Sequence, residues 1–174
     1  MTALRLVELL TQGGRTLVLA ESCTAGLVSD LVARVGGASA VLWGSFVCYS
    51  RHAKELMLGL DADLVERFGL VSEQVAAQMA VGALRKSGAS LSAAVTGLAG
   101  PLGDGSATPV GTVWVSLALW ETPEAGGEPL AVSAGERKMC FRGSRAEVRM
   151  QAAAAVLDEL LDLAVRTAGK DINA

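Results

Sequence analysis

Apolar periodicity switches repeatedly between strand-type and helix-type along the first two thirds of this chain, and this alternation constrains the fold more than any other feature. Strands are predicted where the runs are wholly apolar or rich in aromatic and β-branched residues, at 16–20, 41–49 and 91–95. Helices are predicted where apolar residues recur every three or four positions, at 3–12, 27–35 and 73–86. Strands that alternate with helices predict a sheet covered by helices on both faces.

The last third of the chain changes pattern. Two strand-like runs, 111–120 and 129–141, flank a Gly- and Pro-containing stretch that predicts a surface hairpin loop over 121–129. A final helix follows, and its start is marked by a capping box in which Ser144 and Glu147 satisfy each other's backbone. We therefore predict an α/β protein, a three-layer α/β/α sandwich with a mixed β-sheet.

Two further short helices are expected between the strands, and each helix start has a candidate cap. Thr24 is the expected N-cap of the helix at 27–35, and Ser50 that of a short helix with Ala53, Leu56 and Met57 on its apolar face. Asp61 or Asp63 starts another short turn.

Size and charge exclude several classes of protein. With 174 residues, 51% of them hydrophobic, the chain is expected to form a single domain over 1–174, with its core at about 5–165. A formal net charge of −3 and a pI of about 5.2 exclude broad electrostatic binding to nucleic acid or to acidic membranes. No apolar run reaches the ~18–20 residues that a membrane span needs.

Cysteine and histidine usage restricts the site chemistry. Cys23, Cys48 and Cys140 are odd in number and widely spaced, so no disulfide framework or zinc knuckle fits them. The start of the chain is an amphipathic helix rather than a signal peptide, so we expect a cytoplasmic protein. His52 is the single histidine, which excludes every metal site that requires two histidine ligands. No metal and no cofactor is expected.

The first candidate site segment, AESCTAG at 20–26, lies where a strand ends and a helix begins. The hydroxyl of Ser22 would lie beside the free N–H groups of a helix start, which stabilise an oxyanion. Ser22 is therefore a candidate nucleophile. Helix capping explains the same serine and threonine equally well, and the neighbouring Cys23 is an alternative nucleophile or a small buried apolar residue.

The second segment, YSRHAK at 49–54, offers a phenol, a cation and the imidazole. A serine nucleophile needs a base, and a lysine serves if burial lowers its pKa. Lys54 and His52 are two positions apart, ~200° around a helix, so both cannot face one site. Ordinary surface residues remain the alternative for both side chains.

The third segment, TGLAGP at 96–101, follows the buried strand at 91–95 directly. Its glycines allow close approach to the backbone, and successive N–H groups can form a nest for an anion. A tight turn is the alternative. Arg145, in the first turn of the last helix, is poorly placed for the helix dipole and is a candidate anion ligand, or else a solvent-exposed arginine.

Six segments taken together are far more specific than any one of them. They occur in the order AESCTAG, VCYSRHAKELMLG, GLVSEQVAAQMA, AVTGLAGP, PVGTVWVSLA and FRGSRAEVR. This series resembles the CinA C-terminal domain family, whose active members are nicotinamide-nucleotide amidases. The match covers about residues 5–165. Because the nucleotide-processing domain of two-domain CinA proteins is absent, a stand-alone amidase of the PncC type is expected.

The resemblance implies a function and a site. The reaction would be hydrolysis of the carboxamide of nicotinamide mononucleotide to nicotinate mononucleotide and ammonia, in pyridine nucleotide recycling, by an enzyme that forms a homodimer. The implied catalytic residues are Ser22 as nucleophile, Lys54 as base and Tyr49 beside them. The expected substrate-binding residues are Thr24, Thr96, Gly97, Ala99, Gly100 and Arg145.

Four positions depart from the family pattern. Ala25 replaces a usual glycine, Arg51 an asparagine, Ser144 an aspartate and Thr108 a lysine. The Ser–Lys–Tyr set is retained, which favours the enzyme. The changes at Ala25 and Arg51 favour the alternative, a non-catalytic relative that binds a nucleotide or a protein in a competence or DNA-damage setting.

Overall fold

The computed structural model describes residues 1–123 and 127–170. A five-stranded sheet with the strand order β2-β1-β3-β4-β5 forms its centre. The elements, in chain order, are α1 (Thr2–Gln12), β1 (Leu17–Glu21), α2 (Leu27–Ala33), β2 (Leu42–Val47), α3 (Arg51–Leu58), α4 (Ala62–Phe68), α5 (Glu73–Ser87), β3 (Leu91–Gly97), β4 (Thr112–Glu121), β5 (Leu130–Cys140) and α6 (Arg145–Arg166).

The sheet is mixed, as predicted. β1 pairs in parallel with β2 on one side and with β3 on the other, while β3, β4 and β5 pair antiparallel. Parallel neighbours need helical crossovers, and these place helices on both faces of the sheet. The predicted three-layer α/β/α sandwich is confirmed.

Side chains alternate between the two faces along each strand, so the interior contains two apolar clusters, one on each face of the sheet. Leu17 and Leu19 of β1 face the cluster that α1, α2 and α6 complete. Val18 and Ala20 face the opposite cluster, which α5 dominates and to which α3 and α4 contribute Leu58 and Val65. Successive side chains of a strand point to opposite faces, so a short apolar β1 fills both layers.

Most of the predicted elements are confirmed to within a few residues. The capping box of α6 is present, with the Ser144 hydroxyl accepting from the Glu147 N–H and the Glu147 carboxylate accepting from the Ser144 N–H. Asp61 caps α4. The predicted loop at 121–129 lies partly outside the described residues, as do positions 171–174 of the predicted frayed tail.

Two local predictions are wrong. The N-cap of α2 is Gly26, and Thr24 makes no capping hydrogen bond, because the Glu21 carboxylate takes the N–H groups at this helix start. In α3, Ser50 is the cap as expected, but the buried side chains are Lys54 and Leu58.

The apolar face predicted for α3 lies largely in solvent, with Leu56 71% and Met57 37% exposed. Positions 54 and 58 share one helix face, and position 56 lies ~200° from position 54. Turning Lys54 inward therefore turns Leu56 outward. Among the described residues, no helix combines the length and the apolar run that crossing a bilayer requires.

Candidate functional site

The site lies at the carboxyl edge of the parallel strands. Here the connection that follows β1 and the connection that follows β2 pass to opposite faces of the sheet. Ser22 follows β1, Tyr49 follows β2, and Thr96 and Gly97 end β3. Because β2 and β3 flank β1, their carboxyl ends open a crevice directly beside Ser22. Three separate sequence segments therefore meet at one point.

Ser22 and Lys54 are in direct contact. The Lys54 ammonium nitrogen, Nζ, lies 2.9 Å from Ser22 Oγ and donates a hydrogen bond to it. Lys54 is 2% exposed and Ser22 is 7% exposed, so the pair lies at the inner end of the crevice. Ser50 fixes the start of α3 by accepting from the Ala53 N–H, and this sets the rotation that aims Lys54 at β1.

Burial lowers the pKa of Lys54 below its usual value of 10.5, because desolvation disfavours the ammonium form. The neighbouring thiols of Cys48 and Cys23 oppose this shift weakly. Within residues 1–123 and 127–170, no carboxylate lies within ion-pairing distance of Lys54. A buried lysine without a counter-ion gives up its proton more readily than an exposed one and is suited to act as a base.

The two alternative candidates lie differently. His52 is exposed on the opposite side of α3 from Lys54. Cys23 lies beside Ser22 and is buried, and desolvation raises the pKa of its thiol to about 11. A thiol with such a pKa is almost wholly protonated at neutral pH and is a poor nucleophile. The geometry therefore favours Ser22 over Cys23, and Lys54 over His52.

The turn from Ser22 to Gly26 is tightly held by two charged side chains. The buried Glu21 carboxylate accepts from the N–H groups of Gly26, Val28 and Ser29 at 2.9, 3.1 and 2.9 Å. From α6, the Arg149 guanidinium donates to the carbonyls of Cys23 and Thr24 at 3.1 and 2.7 Å. Neither Glu21 nor Arg149 is predicted from the sequence to belong to the site.

Two backbone donors on this turn are not held by a carbonyl. The Ser22 N–H donates to the Val95 carbonyl, whereas no carbonyl in the described part of the chain accepts from the N–H groups of Cys23 and Thr24, and the Cys23 N–H contacts its own thiol. On the loop that follows β3, the N–H groups of Ala99 and Gly100 are likewise without an acceptor among the described residues. Free N–H groups beside a cavity are suited to bind an oxyanion or another anion.

Arg145 bridges the crevice at its mouth. Its guanidinium donates to the Gly100 carbonyl at 2.7 Å and also contacts the Tyr49 hydroxyl. Tyr49 is 56% exposed, and no hydrogen bond joins its hydroxyl to Ser22 or Lys54. The phenol therefore belongs to the outer part of the site, beside the arginine, rather than to the Ser–Lys contact.

A cavity of about 210 Å³ joins these groups. Eight of the nine predicted site residues line it, namely Ser22, Tyr49, Lys54, Thr96, Gly97, Ala99, Gly100 and Arg145. Thr24 does not, being fully buried with a hydroxyl that finds no hydrogen-bond partner among the described residues. Leu70, Val71, Leu98, Leu102 and Asp104 line the cavity without having been singled out in the sequence.

Two of the departures from the family pattern lie away from the cavity. Arg51 pairs with Glu55 and Glu66 on the surface of α3 and α4. Ala25 is exposed and adopts a left-handed φ of 52°, a conformation that favours glycine. Within the described ranges, no three His, Cys, Asp or Glu side chains gather as a metal site.

Known proteins resemble this chain over most of its length. A family model described as the CinA C-terminal domain matches residues 1–164. The nicotinamide-nucleotide amidohydrolase PncC of Escherichia coli (strain K12) is 40% identical over 147 residues, which cover 84% of this chain and 83% of that protein. A CinA-like protein of Chlorobium luteolum is 39% identical over 155 residues, 89% of this chain and 35% of that protein.

Solved structures agree with the fold. The competence/damage inducible protein CihA from Agrobacterium tumefaciens is 35% identical with a TM-score of 0.80, covering 93% of each chain. A CinA superfamily protein from Klebsiella pneumoniae 700603 is 27% identical with a TM-score of 0.83, covering 95% of this chain and 96% of that one. This chain spans about a third of the length of the first CinA-like relatives it matches, 35% and 32%.

Proposed function

This chain belongs to the CinA C-terminal domain family, and we propose that it is a nicotinamide-nucleotide amidohydrolase that uses Ser22 as nucleophile and Lys54 as general base. The observation that carries the proposal is the buried 2.9 Å contact between Lys54 Nζ and Ser22 Oγ. The 40% identity to a protein named for this activity, over most of both chains, supports the choice of substrate.

The acylation step follows from the positions of the groups. Neutral Lys54 takes the proton of the Ser22 hydroxyl while Oγ attacks the carboxamide carbon of the substrate. The oxygen of the tetrahedral intermediate becomes negative, and its proposed donor is the N–H of Cys23, which is adjacent to the nucleophile and bound to no carbonyl of the described chain. The protonated Lys54 then gives its proton to the departing nitrogen, and ammonia leaves behind an acyl-enzyme.

The deacylation step uses the same groups in reverse order. Lys54, again neutral, takes a proton from water as the water oxygen attacks the ester carbonyl. Collapse of the second tetrahedral intermediate releases nicotinate mononucleotide and returns the proton to Ser22 Oγ. The net reaction consumes one amide and one water and yields one carboxylate and one ammonium, without a redox step.

The outer part of the site is proposed to bind the ribose phosphate. A cavity of about 210 Å³ is smaller than the ~300–1,000 Å³ of a typical drug-sized pocket, so it suits the reacting ring and leaves the phosphate at the mouth. Arg145 and the free N–H groups of Ala99 and Gly100 supply donors there. The Tyr49 hydroxyl contacts the Arg145 guanidinium, and the Tyr49 ring is proposed to pack against the substrate.

The cellular setting is part of the proposal. We place the reaction in the cytoplasm, because Cys23, Cys48 and Cys140 are all unpaired thiols. We also propose that the protein forms a homodimer, as the family resemblance implies. Analytical ultracentrifugation at micromolar protein concentration measures the oligomeric state. Nicotinamide mononucleotide is the proposed small-molecule partner.

The decisive experiment measures ammonia and nicotinate mononucleotide after incubating the protein with nicotinamide mononucleotide. We expect turnover by the wild-type chain and loss of at least about a thousandfold in Ser22→Ala, as for removal of a catalytic nucleophile. Circular dichroism and the melting temperature confirm that the variant is folded. A folded Ser22→Ala protein with full activity would exclude the mechanism, and a wild-type chain that binds the nucleotide without turnover would favour the non-catalytic alternative.

A further inference from the structure

Glu21 is a buried acidic residue that the Ser–Lys chemistry does not use. It is fully buried, and its carboxylate accepts five hydrogen bonds, from three N–H groups and the hydroxyls of Ser29 and Ser45. The residue immediately precedes Ser22. A side chain with so many partners fixes the backbone on either side of it, because each donor restricts its position.

Arg149 holds the same turn from α6, which packs on the same face of the sheet as α2. Its guanidinium reaches from α6 to two consecutive carbonyls, those of Cys23 and Thr24. The peptide group is planar and trans, so a carbonyl turned toward Arg149 directs the N–H of the same peptide the other way. The carbonyl of Cys23 and the N–H of Thr24 form such a peptide. A hydrogen bond to that carbonyl also polarises the N–H.

The turn itself needs external support. Ala25 and Gly26 follow each other in the left-handed region, with φ of 52° and 93°. A non-glycine residue in this region costs about 1–3 kcal/mol, and such geometry persists where the surroundings impose it. The donors that Glu21 accepts from lie at and beyond Gly26, while the carbonyls that Arg149 holds precede Ala25. The two side chains therefore fix the two ends of the strained step.

We propose that Glu21 and Arg149 are positioning residues that act as a two-sided clamp on the Ser22 turn. The clamp keeps Ser22 Oγ within hydrogen-bond distance of Lys54 Nζ and keeps the N–H groups of Cys23 and Thr24 beside the nucleophile. This inference rests on the proposed role of Ser22 as nucleophile. Neither clamp residue lines the cavity, so each is proposed to act on kcat through the geometry of the turn.

The clamp has an electrostatic consequence for the base. A carboxylate next to Lys54 would hold it as an ammonium ion, which cannot accept the Ser22 proton. The five donors around Glu21 bind its carboxylate at the start of α2 and keep it out of ion-pairing distance of Lys54. An acidic residue adjacent in sequence to the nucleophile is thus compatible with a neutral lysine base.

Glu21→Gln and Arg149→Lys test the clamp. Gln keeps the shape of Glu but turns an NH₂ group toward the N–H donors, and Lys keeps the charge of Arg but cannot hold two carbonyls at once. We expect kcat to fall about tenfold to a hundredfold in each variant, as for a nucleophile displaced by about 1 Å, with KM within about twofold. The double variant is expected to lose little more than either single one.

A second readout does not depend on the substrate. A fluorophosphonate probe phosphonylates an activated serine and displaces fluoride, and mass spectrometry locates the adduct. We expect the rate of Ser22 labelling to fall in parallel with kcat. If Ser22→Ala keeps full activity, the proposed nucleophile fails; if Ser22→Ala is inactive while Glu21→Gln and Arg149→Lys keep wild-type kcat and labelling, the clamp alone is excluded.

Asp61→Asn is the matched control for loss of a helix-capping carboxylate, because Asp61 caps α4 away from the cavity. Because Asn caps a helix about as well as Asp, this variant is expected to change the melting temperature little and to leave kcat and labelling unchanged. If Glu21→Gln does not fold, Ser29→Ala carries the test, since it removes one donor to Glu21 and keeps the carboxylate. A severalfold loss of kcat in folded Ser29→Ala supports the clamp, and an unchanged kcat overturns it.

Discussion

Lys54 connects burial with pH dependence at the scale of a single residue. Desolvation lowers its pKa below 10.5, and no carboxylate of the described chain counters this shift by ion pairing. A base works in its deprotonated form, so the active fraction increases as the pH rises through the pKa of the folded protein. The same side chain would be protonated in the unfolded chain over that pH range.

We predict that kcat/KM rises with pH along a limb whose midpoint lies below 10.5 and that Lys54 sets this limb. Lys54→Ala should lose nearly all activity, and Lys54→Arg should not restore it, because a guanidinium stays protonated. His52→Ala is the control and should keep most of the activity and the same limb, since His52 is exposed. An inactive His52→Ala beside an active Lys54→Ala would reverse the assignment.

Arg145 makes the second prediction at this scale. Arg145→Ala should raise KM for the mononucleotide about tenfold to a hundredfold, as for a charge-assisted contact of ~1.5–3 kcal/mol, with a smaller effect on kcat. Tyr49→Phe removes a hydroxyl that contacts the guanidinium and should raise KM less. Steady-state kinetics with the mononucleotide and with its nucleoside, which lacks the phosphate, measure the difference.

Arg142→Ala is the matched control for this prediction, because Arg142 is an exposed arginine three positions away that does not line the cavity. Its KM should match that of the wild type. Equal losses with the mononucleotide and the nucleoside would show that Arg145 does not bind the phosphate.

At the scale of the element, the turn between β1 and α2 carries stored backbone strain. Ala25 lies at φ 52° in a position where the family usually has glycine. We predict that Ala25→Gly raises the free energy of unfolding by about 0.5–1 kcal/mol, the relief of left-handed strain less the added entropy of the unfolded chain. Urea unfolding measures the change.

Ala33→Gly, at the exposed last residue of α2, is the control for the alanine-to-glycine exchange. It should lower the free energy of unfolding by about 0.5–1 kcal/mol, since glycine is a poor helix residue. A loss of stability in both variants would show that the φ of Ala25 is not strained.

Helices and strands were predictable because their apolar periods are local properties of the sequence. The capping box of Ser144 and Glu147, and the Ser50 cap of α3, follow from residue type and spacing alone. The cap of α2 was missed because Glu21 lies in a strand and reaches a helix start through tertiary structure. The partners are only five to eight residues apart, but the chain reverses direction between them, and the residue types expected at a helix cap do not include the last residue of the preceding strand.

The site was predictable in part for the same reason. The family resemblance brought Ser22 and Lys54 together, although helical spacing alone left Lys54 and His52 as equal candidates. The rotation of α3 that buries Lys54 and exposes Leu56 could not be obtained from periodicity, because a buried lysine runs against the apolar pattern. Arg149 has no signal in the sequence beyond its place four residues after Arg145.

At the scale of the whole molecule, the two apolar clusters on opposite faces of one sheet should unfold together. Leu160 of α6 is fully buried in the cluster on the α1 and α6 side. We predict that Leu160→Ala lowers the free energy of unfolding by about 2–5 kcal/mol, as for other large-to-small changes in a core, within one cooperative transition. Leu56→Ala, the same exchange at a 71% exposed position, should change it by less than about 0.5 kcal/mol.

Two spectroscopic probes check the cooperativity. Far-ultraviolet circular dichroism follows the helices. In a background with Trp43 and Trp114 replaced by Phe, the fluorescence of Trp120, whose indole donates to the Ala89 carbonyl, follows the opposite side of the sheet from Leu160. Coincident transitions are expected for both signals. Separate midpoints in Leu160→Ala would mean that the two layers unfold independently.

The bridge between Tyr49 and Arg145 joins positions 96 residues apart, whereas the hydrolytic pair spans 32. In the proposed mechanism, the hydrolytic residues therefore follow the parallel strands, whereas the residue that binds the outer end of the ligand lies at the start of the last helix. Mutations in that last segment can change which amide is accepted without redesign of the hydrolytic pair. A duplicated gene for such a chain can therefore diverge toward new substrates while inheriting an intact reaction.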